Sequence, residues 1–174
     1  MKNILFLIII SGLFACQSTE IIPQKVRKME QKSESGDYQI REKMTVIPKQ
    51  KLTVVKNEMG QNYLKALPGQ HIVLEYNYVQ TPKDTGLMDA KYIQNVRFEI
   101  KDKAIKTTKF KTQDLQKNPL YVEIYGFRNA KLIPVTNADI YIKVINEHTA
   151  ELSIDIKDDN MLIRRKQIKQ TLKF

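Results

Sequence analysis

Apolar side chains at every second position, repeated in one segment after another, are the feature that most constrains how this chain folds. The alternation runs through residues 71–78, 92–100, 120–125, 139–145 and 150–156. Successive side chains of a β-strand point to opposite faces, so a period of two places the apolar residues on one buried face. This pattern is typical of antiparallel strands that are covered on one side only.

The remaining elements follow from the same reading. Residues 39–47 and 51–56 are predicted as two strands separated by Pro48, and Met161–Phe174 as a long final strand. One short helical turn is expected at Thr112–Gln116. About eight short strands with almost no helical period predict an all-β fold. We expect an antiparallel β-sandwich, with an immunoglobulin-like arrangement as one form of it and a small closed β-barrel as the alternative.

The N-terminal segment reads as a secretory signal. Met1-Lys2-Asn3 is short and positive, Ile4–Phe14 is apolar, and Ala15 stands before Cys16, the only cysteine. The apolar run of about 11 residues is too short for a bilayer, which needs about 20. With Leu13, Ala15 and Cys16 in place, the segment resembles the signal peptide and lipobox of bacterial lipoproteins. An ordinary signal peptide, cleaved near Ala15, is the alternative.

The lipoprotein resemblance implies cleavage before Cys16 and a diacylglycerol on its sulfur, and two or three acyl chains give a durable anchor in a lipid bilayer. Gln17, where a retention signal would have Asp, implies transport to the outer membrane. Glu20, close behind the cysteine, resembles the surface-export signals of some Bacteroidetes lipoproteins. We therefore expect a cell-envelope protein that faces the periplasm or the cell surface.

Three parts are expected along the chain. Residues 1–15 are the signal peptide, and residues 16–37 are the lipidated cysteine with a flexible tether that carries four basic and four acidic residues. Residues 38–174 are long enough for a single β-rich domain. No family is recognised for that domain from its residues.

The chain offers few groups for catalysis. Its two histidines, His71 and His148, lie in different predicted elements and are expected at the surface or in turns, and no cofactor or metal is expected. Asp84-Thr85-Gly86 resembles the Asp-Thr-Gly of aspartic proteases, although it follows a loop signature at Pro82. A hydrolase that uses Asp84 with a second carboxylate, Asp89 or Glu75, is therefore an alternative function.

Net charge is the one property of the whole sequence that indicates a function. The net charge is +10, and residues 38–174 hold all but five of the 29 lysines and arginines and all but four of the 19 acidic residues. We expect binding of an anionic partner, because clustered cations attract one. The candidate residues are Lys101, Lys103, Lys109, Lys111, Arg164, Arg165, Lys166 and Lys169. The alternative is that these lysines only protect strand edges from aggregation.

Together these features predict a non-enzymatic binding or accessory module that is anchored to the membrane. Its partner would be an envelope protein complex or an anionic glycan or phosphate ligand, and nucleic acid is not expected because no nucleic-acid motif is present. An inhibitor or immunity-type protein that presents a basic loop to an acidic enzyme is a further alternative.

Overall fold

Two antiparallel sheets packed face to face make up the structure, a computed structural model that describes residues 19–84, 91–126 and 129–174. The strands are β1 Glu20–Ile21, β2 Arg27–Ser35, β3 Tyr38–Lys56, β4 Asn62–Pro82, β5 Tyr92–Ile100, β6 Ile105–Lys106, β7 Thr108–Phe110, β8 Leu120–Gly126, β9 Asn129–Val135, β10 Ala138–Asn146, β11 Thr149–Ile156 and β12 Gln167–Lys173. The larger sheet has the order β2-β3-β4-β5-β8-β9 and the smaller one β12-β11-β10-β7, while β1 pairs with β6 alone.

This architecture confirms the predicted antiparallel sandwich and rules out the closed barrel. The strands of the larger sheet follow the chain, apart from the excursion between β5 and β8. Immunoglobulin domains have the strand orders ABED and CFG, and neither sheet here has such an order, so the immunoglobulin-like arrangement is not the one found. The predicted helical turn is confirmed as a 3₁₀ helix over Thr112–Gln116.

The core lies between the two sheets and is built from the alternating residues that the sequence pattern predicted. Tyr76 and Phe98 in the larger sheet, and Ile140 and Leu152 in the smaller one, are almost completely buried. Phe110 of β7 packs edge-on against Phe98, with 5.1 Å between the ring centroids, which joins the two sheets at one side. Fully burying each such side chain contributes about 1.5–3 kcal/mol to folding.

The β3–β4 hairpin is longer than the sheet that contains it. Its pairing shifts register between Pro48 and Gln50, and Lys49 there adopts a left-handed conformation with φ 57°. On the opposite strand, a Cβ at Gly69 would lie 3.0 Å from both the N and the Cβ of Lys51, so any other residue there would push the backbone of Lys51 away by a few tenths of an ångström. Beyond this register shift, residues 51–68 continue as a two-stranded antiparallel hairpin, which we call the ribbon.

The prediction of two separate strands at Pro48 is wrong, because β3 continues through it. Pairing between β2 and β3 ends at Arg27 and Val46, so Pro48 lies where β3 has no neighbour on one side. A proline, which lacks the amide hydrogen, is tolerated at such a free edge.

The prediction of a flexible tether over residues 16–37 is also wrong from Glu20 onward. Ile21 in β1 is only 4% exposed, and β2 pairs along its whole length with β3. Met29 of β2 packs against the core. The domain therefore begins at about residue 20 rather than 38, and Cys16, like all of residues 1–18, lies outside the described residues.

Candidate functional site

The predicted cations fall into three separate groups. One group, Lys101 and Lys103, lies in the loop between β5 and β6; a second, Lys109, Lys111 and Lys169, lies on the smaller sheet or beside it; the third, Arg164, Arg165 and Lys166, lies in the loop before β12. A single basic surface that uses all eight residues is therefore not formed.

The second group belongs to the outer face of the smaller sheet. Lys109, Tyr141, Ser153 and Lys169 are direct partners across β7, β10, β11 and β12, and so form one row over the sheet. Tyr141 is 42% exposed in the middle of this row. At about 4.8 Å between strands, the two terminal lysines are about 14 Å apart along the backbone.

Further lysines surround this row. We call the whole surface the lysine face; its basic residues are Lys109, Lys111, Lys143, Lys157, Lys169 and Lys173. The sequence analysis did not select Tyr141, Lys143 or Lys157. Their signal was available in part, because the period of two already places Tyr141 and Lys143 on one side of the predicted 139–145 strand, opposite the apolar residues.

Three carboxylates share the lysine face with these six lysines. The Asp139 carboxylate accepts a 2.7 Å hydrogen bond from Lys157, and this bond holds the pKa of Asp139 below its ordinary value, with smaller contributions from Lys109 and Lys111. Glu151 lies opposite Lys143 across β10 and β11, and Asp155 lies opposite Asp139. The surface thus keeps an excess of positive charge around Tyr141.

The third group has a structural role. Gln94, fully buried on the inner face of β5, accepts hydrogen bonds from the backbone amides of Arg164 and Arg165, both at 3.0 Å. Its own amide group donates to the carbonyl of Arg165 at 2.8 Å, and the Tyr92 hydroxyl donates to the carbonyl of Leu162 at 2.7 Å. These bonds fix residues 161–166 as a loop that closes one end of the sandwich.

The two arginine side chains of this loop are held by the larger sheet. The Arg164 guanidinium stacks 4.3 Å from the centroid of the Tyr92 ring and donates to Gln80 at 3.0 Å. Arg165 forms a 2.8 Å ion pair with Glu42, which is largely buried. The predicted final strand over Met161–Phe174 is therefore too long, because Arg164 and Arg165 lie in this loop and the strand itself is confined to β12.

A second charged site, which the sequence analysis missed, lies on the outer face of the larger sheet. Arg97 of β5 pairs with Glu75 of β4 at 2.7 Å and with Glu123 of β8 at 3.0 Å. Beside them, the Glu99 carboxylate lies 2.8 Å from Nδ1 of His71. We call these five residues the buried charge network, because Glu99 and Glu123 are each only 3% exposed.

The ribbon covers this network. The Glu99 carboxylate accepts the backbone amide of Leu52 at 2.6 Å, and the Glu123 carboxylate accepts that of Leu64 at 3.0 Å. Arg97 donates in return to the carbonyl of Leu64 at 3.4 Å. Because these charges bind one another and the ribbon backbone, the arrangement stabilises a third layer of the fold rather than presenting groups to a ligand.

The residues proposed for a hydrolase do not come together. Asp84 is exposed just beyond the end of β4, whereas Glu75 lies seven residues inside that strand and is bound to Arg97. Seven strand residues span about 23 Å, so the two carboxylates do not form a pair. Asp89, with Thr85 and Gly86, lies outside the described residues.

No family model, curated protein or solved structure matches this chain significantly. In the part of the chain that the structure describes, no helix is long and apolar enough to cross a membrane. Within the same residues, no group of three or more histidine, cysteine, aspartate or glutamate side chains is placed to hold a metal ion.

Proposed function

We propose that this chain is an outer-membrane lipoprotein whose β-sandwich acts as a non-enzymatic binding module, and that the lysine face binds an anionic glycan. The observation that carries the binding proposal is the row Lys109–Tyr141–Ser153–Lys169, with further lysines on both sides. The anchor is proposed from the lipobox at Leu13, Ala15 and Cys16.

The shape of the surface favours an extended polymer over a small ion. The lysines are spread over an open sheet face, and the two that end the row are about 14 Å apart along the backbone, a spacing far wider than a single phosphate. Repeated charges along a glycan chain match such spacing. The exposed ring of Tyr141 adds an apolar platform of the kind that sugar rings stack on, with the polar hydroxyl at its tip.

Charge reversal tests this proposal. The double variant Lys109→Glu/Lys169→Glu removes two attractions and adds two repulsions, each worth up to ~1 kcal/mol at an exposed site, so binding to heparin as the probe glycan should weaken roughly tenfold or more. Binding of the unmodified chain should fall steeply with salt, as the Debye length shortens to about 8 Å at physiological ionic strength.

The matched control is Lys28→Glu/Lys32→Glu, which makes the same change in net charge on exposed positions of β2, in the other sheet. This control should bind heparin nearly as well as the unmodified chain. Equal losses in both double variants would show that only net charge matters, and would overturn the lysine face as the site. Tight binding to polyglutamate without binding to heparin would instead identify an acidic protein as the partner.

A further inference from the structure

We infer that the loop between β5 and β6, with Lys101 and Lys103, and the neighbouring Lys117 just after the 3₁₀ helix rest on the anionic headgroups of the bilayer that holds the anchor. This inference deepens the proposed function, because it relies on lipidation of Cys16. It assigns to Lys101 and Lys103 a partner different from that of the lysine face.

The first step is the position of β1. Glu20 and Ile21 pair with Lys106 and Ile105 of β6, Ile21 is only 4% exposed, and Pro23 is buried as well. Lys106 forms an ion pair with Glu20 at 3.2 Å. The start of the folded chain is thus fixed against the very loop that carries Lys101 and Lys103.

The second step is the reach of the chain. Cys16 precedes Glu20 by four residues, and a fully extended chain advances at most about 3.5 Å per residue. The Cα of Cys16 therefore lies within about 14 Å of the Cα of Glu20, whatever path the residues between them take. A lipid on Cys16 brings the bilayer surface to this end of the sandwich.

The third step is the charge of the loop. Asp102 and Glu20 are both engaged by Lys106, at 3.7 and 3.2 Å. Lys101, Lys103 and Lys117 are exposed, and among the described residues no carboxylate lies within ion-pair distance of them.

Two of these three cations lie beside one cleft. Lys101 and Lys117 line a cleft of about 370 Å³ whose apolar wall includes Ile105 and Phe110, and which the ion-paired Lys106 and Asp102 also line. A phosphate headgroup at the mouth of this cleft would meet the lysines Lys101 and Lys117. Each lysine near an anionic bilayer favours contact by about fivefold, so three lysines together bias the orientation of the anchored domain strongly.

Lysine footprinting on the anchored full chain tests the inference. The lipidated protein is reconstituted in vesicles of phosphatidylcholine alone, or of phosphatidylcholine with phosphatidylglycerol, and acetylation of each lysine is followed by mass spectrometry. Lys101, Lys103 and Lys117 should react about three- to fivefold more slowly on the phosphatidylglycerol vesicles. At about 1 M salt, where the Debye length is 3 Å, the difference should disappear while the anchor holds.

Lys91 is the internal control. It is exposed and directly precedes β5, whereas Lys101 directly follows that strand, so the two lysines are separated by about 33 Å of extended chain. Lys91 should react equally fast on both kinds of vesicle. If the chain floats with the vesicles but Lys101 and Lys103 are acetylated equally fast on both kinds of vesicle, the inference that this loop faces the membrane would be overturned. The lipid anchor itself would stand. A chain that does not float with either kind would overturn the lipid anchor, and the inference with it.

Discussion

Replacing Glu123 by leucine separates the contribution of the buried charge network from that of apolar packing. The Glu123 side chain is 4% exposed, and its carboxylate serves both Arg97 and the amide of Leu64. Removing one partner of a buried ion pair costs about 3–5 kcal/mol, because the other charge stays buried. Glu75 still binds Arg97 at 2.7 Å, which reduces that cost.

The expected loss combines two parts. The backbone amide of Leu64, left without its acceptor, lowers the free energy of unfolding by about 1–3 kcal/mol. The loss of one of the two carboxylates that pair with Arg97 lowers it by a similar amount. We therefore expect Glu123→Leu to lower the free energy of unfolding by about 3 kcal/mol, a large share of the 5–15 kcal/mol that domains have in total. Glu123→Gln, which can still accept the Leu64 amide, should cost less than Glu123→Leu.

Urea denaturation measures the free energy of unfolding, and hydrogen exchange locates its source. Amides of the ribbon should exchange faster in Glu123→Leu than those of β10 and β11, because the network holds the ribbon and not the smaller sheet. The triple variant Glu75→Gln/Arg97→Met/Glu123→Leu should recover part of the lost stability, since none of the three paired charges is then left without a partner.

Glu30→Leu is the matched control. Glu30 lies in the same cross-strand row as Glu123, at the exposed edge strand, where its pair with Arg41 is open to solvent. This variant should change stability by no more than about 0.5 kcal/mol. If Glu123→Leu were as mild as Glu30→Leu, the reasoning that buried charges hold the ribbon would be refuted.

Two further predictions concern tyrosines that are buried or partly buried. Tyr92→Phe removes the hydrogen bond to the Leu162 carbonyl and should lower the free energy of unfolding by about 1–2 kcal/mol, which urea denaturation measures. Limited proteolysis should then cleave residues 161–166 more readily. Unchanged proteolysis would contradict the proposal that Tyr92 anchors this loop. Burial raises the pKa of five phenols, those of Tyr76, Tyr78, Tyr92, Tyr121 and Tyr125. The folded chain holds these protons more tightly than the unfolded chain, so their contribution to stability is complete below about pH 10 and is lost as the pH rises through the folded-state values. Phenolate absorbance and circular dichroism should then change together in alkali, and full phenolate absorbance with an intact sandwich would refute this.

The sandwich could be predicted because most inward positions of its core strands are apolar at a period of two, with Gln94 of β5 as an exception. The predicted 92–100 strand coincides with β5, and the break between the predicted 139–145 and 150–156 strands falls where β10 passes into β11. Each of these strands is half-buried, so its own sequence records which face meets the other sheet.

β2 escaped prediction because its burial does not alternate. Beyond Met29 this edge strand is exposed on both faces, and its residues are charged or polar. Its pairing with β3 depends on backbone hydrogen bonds, which do not require apolar side chains to alternate in the sequence.

The buried charge network escaped for a different reason. Glu75, Arg97 and Glu123 stand at outward positions of their strands, which a period of two assigns to solvent. Only the bend near Pro48 and Gly69 brings the ribbon back over them, and this long-range contact is not encoded in any one strand. The same holds for the loop of Arg164, whose partners in β5 are some 70 residues away in sequence.

Incorporation of labelled fatty acid tests the central claim, a lipid-anchored binding module, most directly. The unmodified chain, expressed in a bacterium that processes lipoproteins, should take up the label and fractionate with membranes. The Cys16→Ala variant should fold as before, since Cys16 lies four residues before the first strand, but it should take up no label. An unmodified chain that remains unlabelled would contradict the account.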